Sequence, residues 1–260
     1  MLLLLTGTID PSVFNNTNVV ISSASERFEQ YYYSIKKYIE TGIFSSIVFA
    51  ENSGYSFPIE EMEEFARKFN AKFELVPVVT DIQKTIKFGK SYGEADCIEQ
   101  GLEKSELAKN EEYFVKCTGR VFVRNLDKLC KKNSKCNKFL FRDDMEWCYT
   151  LIFQMNISEY KKHFYRCKSL CDEKNGIDIE KSFYIIIMQD KIKFKCFRAY
   201  PNVEGLCGTN GKAYNEKYRM KNFFTKLGLF SHNPFNKIIY KVFAPIFTNI
   251  RNKVLSYVKK

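Results

Sequence analysis

Histidine is scarce in this 260-residue chain, and its cysteines are not paired. His163 and His232 are the only histidines, and none of the nine cysteines belongs to a Cys-x-x-Cys motif. A helical patch of His163, Cys167 and Cys171 would lack a fourth ligand, whereas zinc sites usually need close, paired spacing. The cysteines are therefore interpreted as scattered free thiols of a protein in a reducing cytosol.

Long apolar runs are also absent. No stretch approaches the roughly 20 apolar residues of a membrane span. The run at residues 1–7 is short and has no basic residue before it, so we expect a buried first strand rather than a signal peptide. Neither an internal repeat nor a low-complexity linker is visible, and the 45% hydrophobic content suits a sizeable core.

Acidic residues are missing from the C-terminal part of the chain. Residues 217–260 contain ten basic residues and no Asp or Glu. Because the whole chain carries +11, the preceding residues carry a net charge of only +1. We therefore predict two parts, a nearly neutral domain at 1–215 and a cationic tail at 216–260, and the tail's charge implies a partner with anionic phosphates.

The pattern of apolar runs predicts an α/β fold. Short runs alternate with longer amphipathic segments through the first 120 residues, which favours a mostly parallel central sheet with helices on both faces. The predicted strands are 2–6, 18–22, 46–50, 72–77, 112–116, 138–142, 148–154 and 192–197. The predicted helices are 26–41, 58–69, 92–106, 124–131, 157–170, 178–189, 218–230 and 234–258.

Two clusters between Phe88 and Arg120 carry the most functional information. The first, residues 89–94, reads Gly-Lys-Ser-Tyr-Gly-Glu and opens a segment with helical spacing. The second, residues 116–120, reads Lys-Cys-Thr-Gly-Arg and closes a short apolar strand. Strand ends that carry such residues are where open α/β sheets bind phosphates and sugars.

Several blocks in this order resemble bacterial glycosyltransferases of the GT-A type, from the groups that build capsule, lipooligosaccharide and O-antigen chains. They cover roughly residues 1–215, and each block is weak by itself. The blocks are Leu3-Leu4-Leu5-Thr6-Gly7-Thr8-Ile9, Glu26-Arg27-Phe28 with Tyr31 and Tyr32, Phe49-Ala50-Glu51-Asn52-Ser53-Gly54-Tyr55, Phe88-Gly89-Lys90-Ser91-Tyr92-Gly93-Glu94, Val115-Lys116-Cys117-Thr118-Gly119-Arg120 and Glu204-Gly205-Leu206-Cys207-Gly208-Thr209-Asn210-Gly211.

The resemblance implies a GT-A-like, Rossmann-like domain with a nucleotide-sugar donor across the carboxyl ends of its parallel strands. Thr6 and Thr8 would line the nucleoside pocket, and Glu51 and Asn52 could bind ribose or base edges. The complete set of implied donor-binding residues is Thr6, Thr8, Arg27, Glu51, Asn52, Lys90, Glu94, Lys116, Thr118, Gly119 and Arg120.

The chain departs from that family at its metal motif. GT-A enzymes usually carry an Asp-x-Asp motif where this chain has Thr118-Gly119-Arg120. We expect Arg120 and Lys116 to replace a metal ion as the counter-charge of the donor diphosphate, since a guanidinium forks onto phosphate oxygens. Asp143 and Asp144 remain an alternative Mg²⁺ or Mn²⁺ site, or else a capped helix start, so metal dependence stays open.

Glu180 is the first candidate for the catalytic base, and Asp144 is the second. Glu180 opens an apolar helix on the acceptor side, although Asp178 and Glu180 could simply cap that helix and favour its dipole. An inverting transfer needs such a base, whereas a retaining transfer need not have one. The Gly205, Gly208 and Gly211 loop is either a turn or a lid that orders over the donor.

The composition of the tail predicts binding to a membrane surface. Apolar residues flanked by Lys and Arg, without acids, are typical of a helix lying in an anionic membrane surface. The alternative is a helix that docks on the domain or on a second subunit. Residues 218–260 are thus expected to hold the protein at the inner face of the cytoplasmic membrane, with no nucleic-acid partner.

Together these features predict transfer of a sugar from a nucleotide-diphosphate donor to a growing cell-surface glycan, either a lipid-linked or an oligosaccharide acceptor. Two alternatives remain. One is a sugar nucleotidyltransferase, although residues 6–10 lack the basic residue of its usual loop. The other is an inactive membrane-peripheral scaffold of glycan biosynthesis.

Overall fold

The computed structural model describes residues 1–15, 20–130, 134–141, 146–208, 211–214 and 218–226. These residues form nine strands: β1 Leu2–Gly7, β2 Ser46–Glu51, β3 Lys72–Pro77, β4 Tyr113–Thr118, β5 Phe122–Val123, β6 Lys138–Phe139, β7 Ile152–Asn156, β8 Lys195–Cys196 and β9 Val203–Glu204. They also form nine α-helices: α1 Ala24–Glu40, α2 Ile59–Lys68, α3 Ile82–Phe88, α4 Lys90–Lys104, α5 Leu126–Leu129, α6 Ile157–Phe164, α7 Cys167–Leu170, α8 Ile179–Gln189 and α9 Tyr218–Lys226.

A seven-stranded sheet in the order β3-β2-β1-β4-β7-β6-β8 forms the centre of the fold. Strand β1 pairs in parallel with both β2 and β4, and β7 runs antiparallel to its neighbours β4 and β6. A separate two-stranded sheet joins β5 to β9. The predicted α/β class with a mostly parallel central sheet is confirmed.

The sheet is buried on both faces because its central strands are continuously apolar. Leu2 and Leu4 pack on one side with α4, α6 and α8, while Leu3 and Leu5 pack on the other with α1, α2 and α5. Helices α1 and α2, which connect β1 to β2 and β2 to β3, therefore lie on one face of the sheet. Helix α4, in the connection from β3 to β4, lies on the other face. The chain reverses its winding direction at β1, so the carboxyl ends of β1 and β4 meet at a topological switch point.

Capping residues set several helix boundaries. The side chains of Ser23, Asp81 and Asp178 accept hydrogen bonds from backbone N–H groups in the first turns of α1, α3 and α8. Gly89, with a φ of 98°, separates α3 from α4. This positive φ places Lys90 at the first position of α4, two residues before the predicted helix start.

Some predicted elements differ from the structure. The predicted strand 18–22 is wrong for residues 20–22, because Ser23 caps α1 and the chain turns into that helix. The predicted helix 157–170 is broken between α6 and α7. Helix α3 and strands β5 and β9 were not predicted, and the two strands have only two residues each.

The described start of the tail is helical, as predicted, and it packs on the domain. Lys221 Nζ donates to Tyr200 Oη at 3.0 Å, and Tyr200 N donates to Asn222 Oδ1 at 3.1 Å. The predicted second tail helix at 234–258 lies outside the described residues. None of the helices in the described ranges is long and apolar enough to cross a membrane.

Candidate functional site

A cleft of about 530 Å³ opens at the switch point between β1 and β4. Its volume is within the range of small-molecule sites. Residues from the ends of both strands, from the start of α4 and from the start of α8 line it. Of the predicted site residues, those that line the cleft are Thr6, Thr8, Arg27, Asn52, Lys90, Glu94, Thr118, Arg120 and Glu180.

Gly119 allows the two strand ends to approach each other closely. Its N–H donates to Thr6 O at 2.9 Å, and a Cβ at this position would lie 3.0 Å from that oxygen and 3.2 Å from the Tyr31 ring. Gly119 does not itself line the cleft. The glycine keeps the ends of β1 and β4 close together, because a side chain here would push Arg120 away from the end of β1.

Arg120 is a buried cation at the end of β4. The residue is 7% exposed, and Nη1 donates to Gln30 Oε1 at 2.8 Å. Within the described ranges no carboxylate forms an ion pair with it. Burial, ahead of the nearby Arg27 charge, lowers the pKa of its guanidinium. A buried cation without an acidic partner favours binding of an anion in the cleft.

Arg27 has a different position although it also lines the cleft. Nε donates to Thr8 O at 2.8 Å, and Nη2 donates to Thr8 O and to Tyr31 Oη. Nη1 donates to Ile21 O at 3.3 Å. Most of its N–H groups therefore fix the loop after β1, and the guanidinium adds positive charge near Arg120.

Lys116 does not fit its predicted role as a partner of the diphosphate. Its side chain is fully buried, and Nζ forms an ion pair with Glu94 and donates to Thr150 O at 2.7 Å. It does not line the cleft. The expectation that Lys116 and Arg120 act together is corrected on this point, because the Lys116 charge is already neutralised by Glu94.

Glu51 also differs from its expected role. Its carboxylate accepts hydrogen bonds from the backbone N–H groups of Ile9, Ser53 and Gly54. It is 3% exposed and does not line the cleft. Since both oxygens are engaged, Glu51 ties the loop after β1 to the loop after β2 and is not available to a ribose.

Thr8 and Asn52 form a polar wall of the cleft. Thr8 Oγ1 donates to Asn52 Oδ1 at 2.6 Å, and Asn52 Nδ2 donates to Thr80 Oγ1 at 3.4 Å. Pro11 and Phe14 line the cleft as well. A wall of hydroxyl and amide groups beside apolar side chains suits a nucleoside, which offers polar edges and a flat face.

Glu180 provides an acidic group to the same cleft. Burial is the largest of the influences that raise the pKa of its carboxyl to about 7, followed by the nearby Asp178 and Glu94 carboxylates. A hydrogen bond from the Thr150 N–H acts in the opposite direction. A carboxyl that titrates near neutrality can accept a proton as a general base.

The alternative metal site is not described. Asp143 and Asp144 lie outside the described residues, as does any role of Asp144 as a base. Elsewhere in the described ranges, no group of three or more His, Cys, Asp or Glu side chains could hold a metal ion. Metal dependence thus stays a prediction.

Several cleft residues were not among the predicted site residues, including Tyr31, Cys207 and Tyr214. The Tyr31 hydroxyl accepts a hydrogen bond from the Thr8 N–H. Both Tyr31 and Cys207 belong to the sequence blocks that resemble GT-A enzymes, but neither had a predicted role. Cys207 and Tyr214 reach the cleft through a hairpin that follows β9. The glycines at 205, 208 and 211 were the available signal for that hairpin, but they did not indicate Tyr214.

Comparisons with known proteins give low similarity. No protein-family model and no curated protein matches the chain. Among solved structures, a nucleoside-diphosphate-sugar pyrophosphorylase from Vibrio cholerae RC9 is 14% identical with a TM-score of 0.44, and the match covers 74% of this chain and 89% of that one. A Bacillus anthracis protein assigned as a glucose-1-phosphate thymidylyltransferase is 12% identical with a TM-score of 0.41, covering 86% and 94%. Similarities this low do not decide an activity, so function is inferred from the cleft.

Proposed function

We propose that the protein is a GT-A-like glycosyltransferase that binds a nucleotide-diphosphate sugar in the cleft and transfers the sugar to a growing cell-surface glycan. The observation that carries this proposal is the buried Arg120 guanidinium, which lacks a carboxylate partner in the described ranges and lines the same cleft as Glu180. The Arg120 guanidinium suits an anionic leaving group, and the Glu180 carboxyl suits an acceptor hydroxyl.

Arg120 is assigned to the donor diphosphate. Its planar fork can donate two parallel hydrogen bonds to phosphate oxygens, and the burial of the residue strengthens them. As the bond between the sugar and the diphosphate breaks, negative charge grows on the departing phosphate oxygen. A cation already fixed beside that oxygen stabilises the transition state more than the ground state.

Glu180 is assigned to the acceptor hydroxyl of an inverting transfer. Its carboxylate takes the hydroxyl proton while the acceptor oxygen bonds to the anomeric carbon, and the electron pair of the broken bond leaves with the diphosphate. With a pKa of about 7, about half of the molecules carry the ionised carboxylate at neutral pH, and the group can hold the proton after the step.

The location at a membrane is a further part of the proposal. On α9, Arg219, Phe223 and Lys226 are exposed at helical spacing, and Phe223 is 59% exposed. The whole 217–260 segment is free of acids. These features support binding to an anionic bilayer, where a lipid-linked acceptor would be found. Equal sedimentation of the full chain with phosphatidylglycerol and phosphatidylcholine vesicles would contradict this part.

A sugar nucleotidyltransferase is the second candidate, and it is the activity closest to the names of the two compared structures. Enzymes of that kind hold a triphosphate with a loop after the first strand. Here the N–H groups of Thr8, Ile9 and Asp10 already donate to Tyr31, Glu51 and Ser53 side chains. That loop must rearrange before it can hold phosphates, which favours glycosyl transfer.

A nucleotide-binding screen tests the proposal. The purified chain would be heated with UDP, GDP, CMP or dTDP, each with and without Mn²⁺. A ligand at a hundred times its Kd stabilises the native state by about 2.7 kcal/mol, so one nucleotide should raise the Tm clearly. Dependence of that shift on Mn²⁺ would indicate a metal site in place of Arg120.

The released products distinguish the two enzymatic functions, and the thermal shift distinguishes both from the scaffold. A glycosyltransferase releases a nucleoside diphosphate when acceptor is added, whereas a nucleotidyltransferase releases pyrophosphate from a nucleoside triphosphate. Absence of any nucleotide-induced shift would contradict both enzymatic functions and favour the scaffold.

A further inference from the structure

A hairpin after β9 forms one side of the cleft. Its described residues are 205–208 and 211–214, and this segment is called the 205–214 hairpin. Cys207 N donates to Lys212 O at 2.9 Å, and Tyr214 N donates to Gly205 O at 3.2 Å. Cys207, Gly208 and Tyr214 from this hairpin line the cleft.

The hairpin lies directly against Arg120. A Cβ at Gly208 would be 2.7 Å from Arg120 Nη2, so the glycine leaves room for the guanidinium. Gly208 O accepts a hydrogen bond from Val20 N at 3.0 Å, which holds the hairpin to the segment before α1. The hairpin backbone is thereby fixed at the same place as the cation that we assign to the diphosphate.

The Tyr214 phenol lines the cleft together with Arg120 and Glu180, and the residue is 36% exposed. It interacts electrostatically with both Arg120 and Glu180, and its hydroxyl shares a hydrogen bond with the Cys207 thiol. Burial and that thiol raise the pKa of Tyr214, so the phenol stays protonated at neutral pH. Sulfur is a weak hydrogen-bond partner, and a phosphate oxygen would be a much stronger acceptor.

We propose that Tyr214 is a donor-binding residue whose hydroxyl donates a hydrogen bond to the terminal phosphate of the bound nucleoside diphosphate, next to Arg120. This inference rests on the proposed function and extends it to a residue of the hairpin. The hydroxyl exchanges the Cys207 thiol for a phosphate oxygen when the ligand enters. Tyr214 thus distinguishes a nucleoside diphosphate from a monophosphate, which lacks the terminal phosphate.

The test compares Tyr214→Phe with the parent chain by isothermal titration calorimetry. The probes are UDP, GDP, CDP and dTDP, each with its monophosphate. Removing a hydrogen bond to a charged group should lower the affinity for whichever diphosphate the parent chain binds, by about tenfold to a hundredfold. Binding of the matching monophosphate should be unchanged, because the phenylalanine ring keeps the packing of the hairpin.

Tyr33→Phe is the matched control. The Tyr33 hydroxyl donates to Glu204 Oε1 at 3.2 Å outside the cleft, so its removal should change neither affinity. Equal losses for diphosphate and monophosphate in Tyr214→Phe, or no loss for either, would overturn the inference while the proposed function stands. A parent chain that binds none of these nucleotides would overturn the proposed function and this inference together.

Discussion

Lys116 of β4 and Glu94 of α4 form an ion pair behind the wall of the cleft. The lysine side chain is completely buried, while the glutamate side chain is 30% exposed and lines the cleft. Lys116 also donates to Thr150 O, which belongs to the segment whose N–H contacts Glu180. The pair therefore joins β4, α4 and the acceptor side of the site without offering a free charge to the ligand.

We predict that Glu94→Gln is strongly destabilising, by about 3 kcal/mol, because it leaves a buried ammonium without its counter-charge. The double variant Lys116→Met with Glu94→Gln should recover most of that loss, since both charges are then gone. Urea unfolding of the parent, both single variants and the double variant gives the coupling energy.

Glu106→Gln is the control for this cycle. Glu106 pairs with Lys109 at the surface, with side chains 75% and 56% exposed, so its loss should change stability by less than about 0.5 kcal/mol. If Glu94→Gln were as mild as Glu106→Gln, the buried pair would not contribute as the structure indicates.

The second prediction concerns Arg120. Arg120→Lys keeps a charge but removes the fork, so affinity for the nucleoside diphosphate should fall about tenfold, and Arg120→Ala should lose roughly tenfold more. Calorimetric titration measures both. The control is Arg166→Ala, which removes an exposed guanidinium paired with Asp190. Parent-like affinity in a folded Arg120→Ala variant would show that the diphosphate binds elsewhere.

The grouping of Thr6, Thr118 and Arg120 could be predicted from the sequence. Apolar runs mark β1 and β4, and carboxyl ends of parallel strands meet at one edge of a sheet. Polar residues directly after those runs must therefore gather there. The apolar helical pattern after Glu180 predicted that this residue lies at the start of a helix, and in the structure Asp178 caps that helix.

The partners of buried charges could not be predicted in this way. Lys116 and Glu51 stand in or next to predicted strands, and the pattern does not say that Glu94 and three backbone N–H groups take up their charges. Tyr214 follows the two-residue strand β9, which pairs with β5 across a long sequence separation. Strands that short have no readable alternation.

The third prediction is a loss of turnover in Glu180→Gln with donor binding retained. An amide cannot accept the proton of the acceptor hydroxyl, so kcat should fall about a hundredfold to ten-thousandfold. In the parent chain, kcat/KM should rise with pH through an apparent pKa of about 7. Glu106→Gln should keep parent-like kcat and pH profile, and a Glu180→Gln variant that does the same would remove Glu180 from the chemistry.

The same substitution predicts a change in how stability depends on pH. Folding raises the pKa of the Glu180 carboxyl from its ordinary 4.5 to about 7, so the folded state binds this proton more tightly. The stabilisation is complete below about pH 4.5 and is lost as the pH rises through 7. Glu180→Gln has no proton to lose. From pH 5 to pH 8, the free energy of unfolding of the parent should therefore fall, relative to that of Glu180→Gln, by an amount on the order of 2 kcal/mol. Urea unfolding at both pH values measures this difference, and a constant offset between the two proteins would mean that Glu180 is ionised and solvated in the folded state.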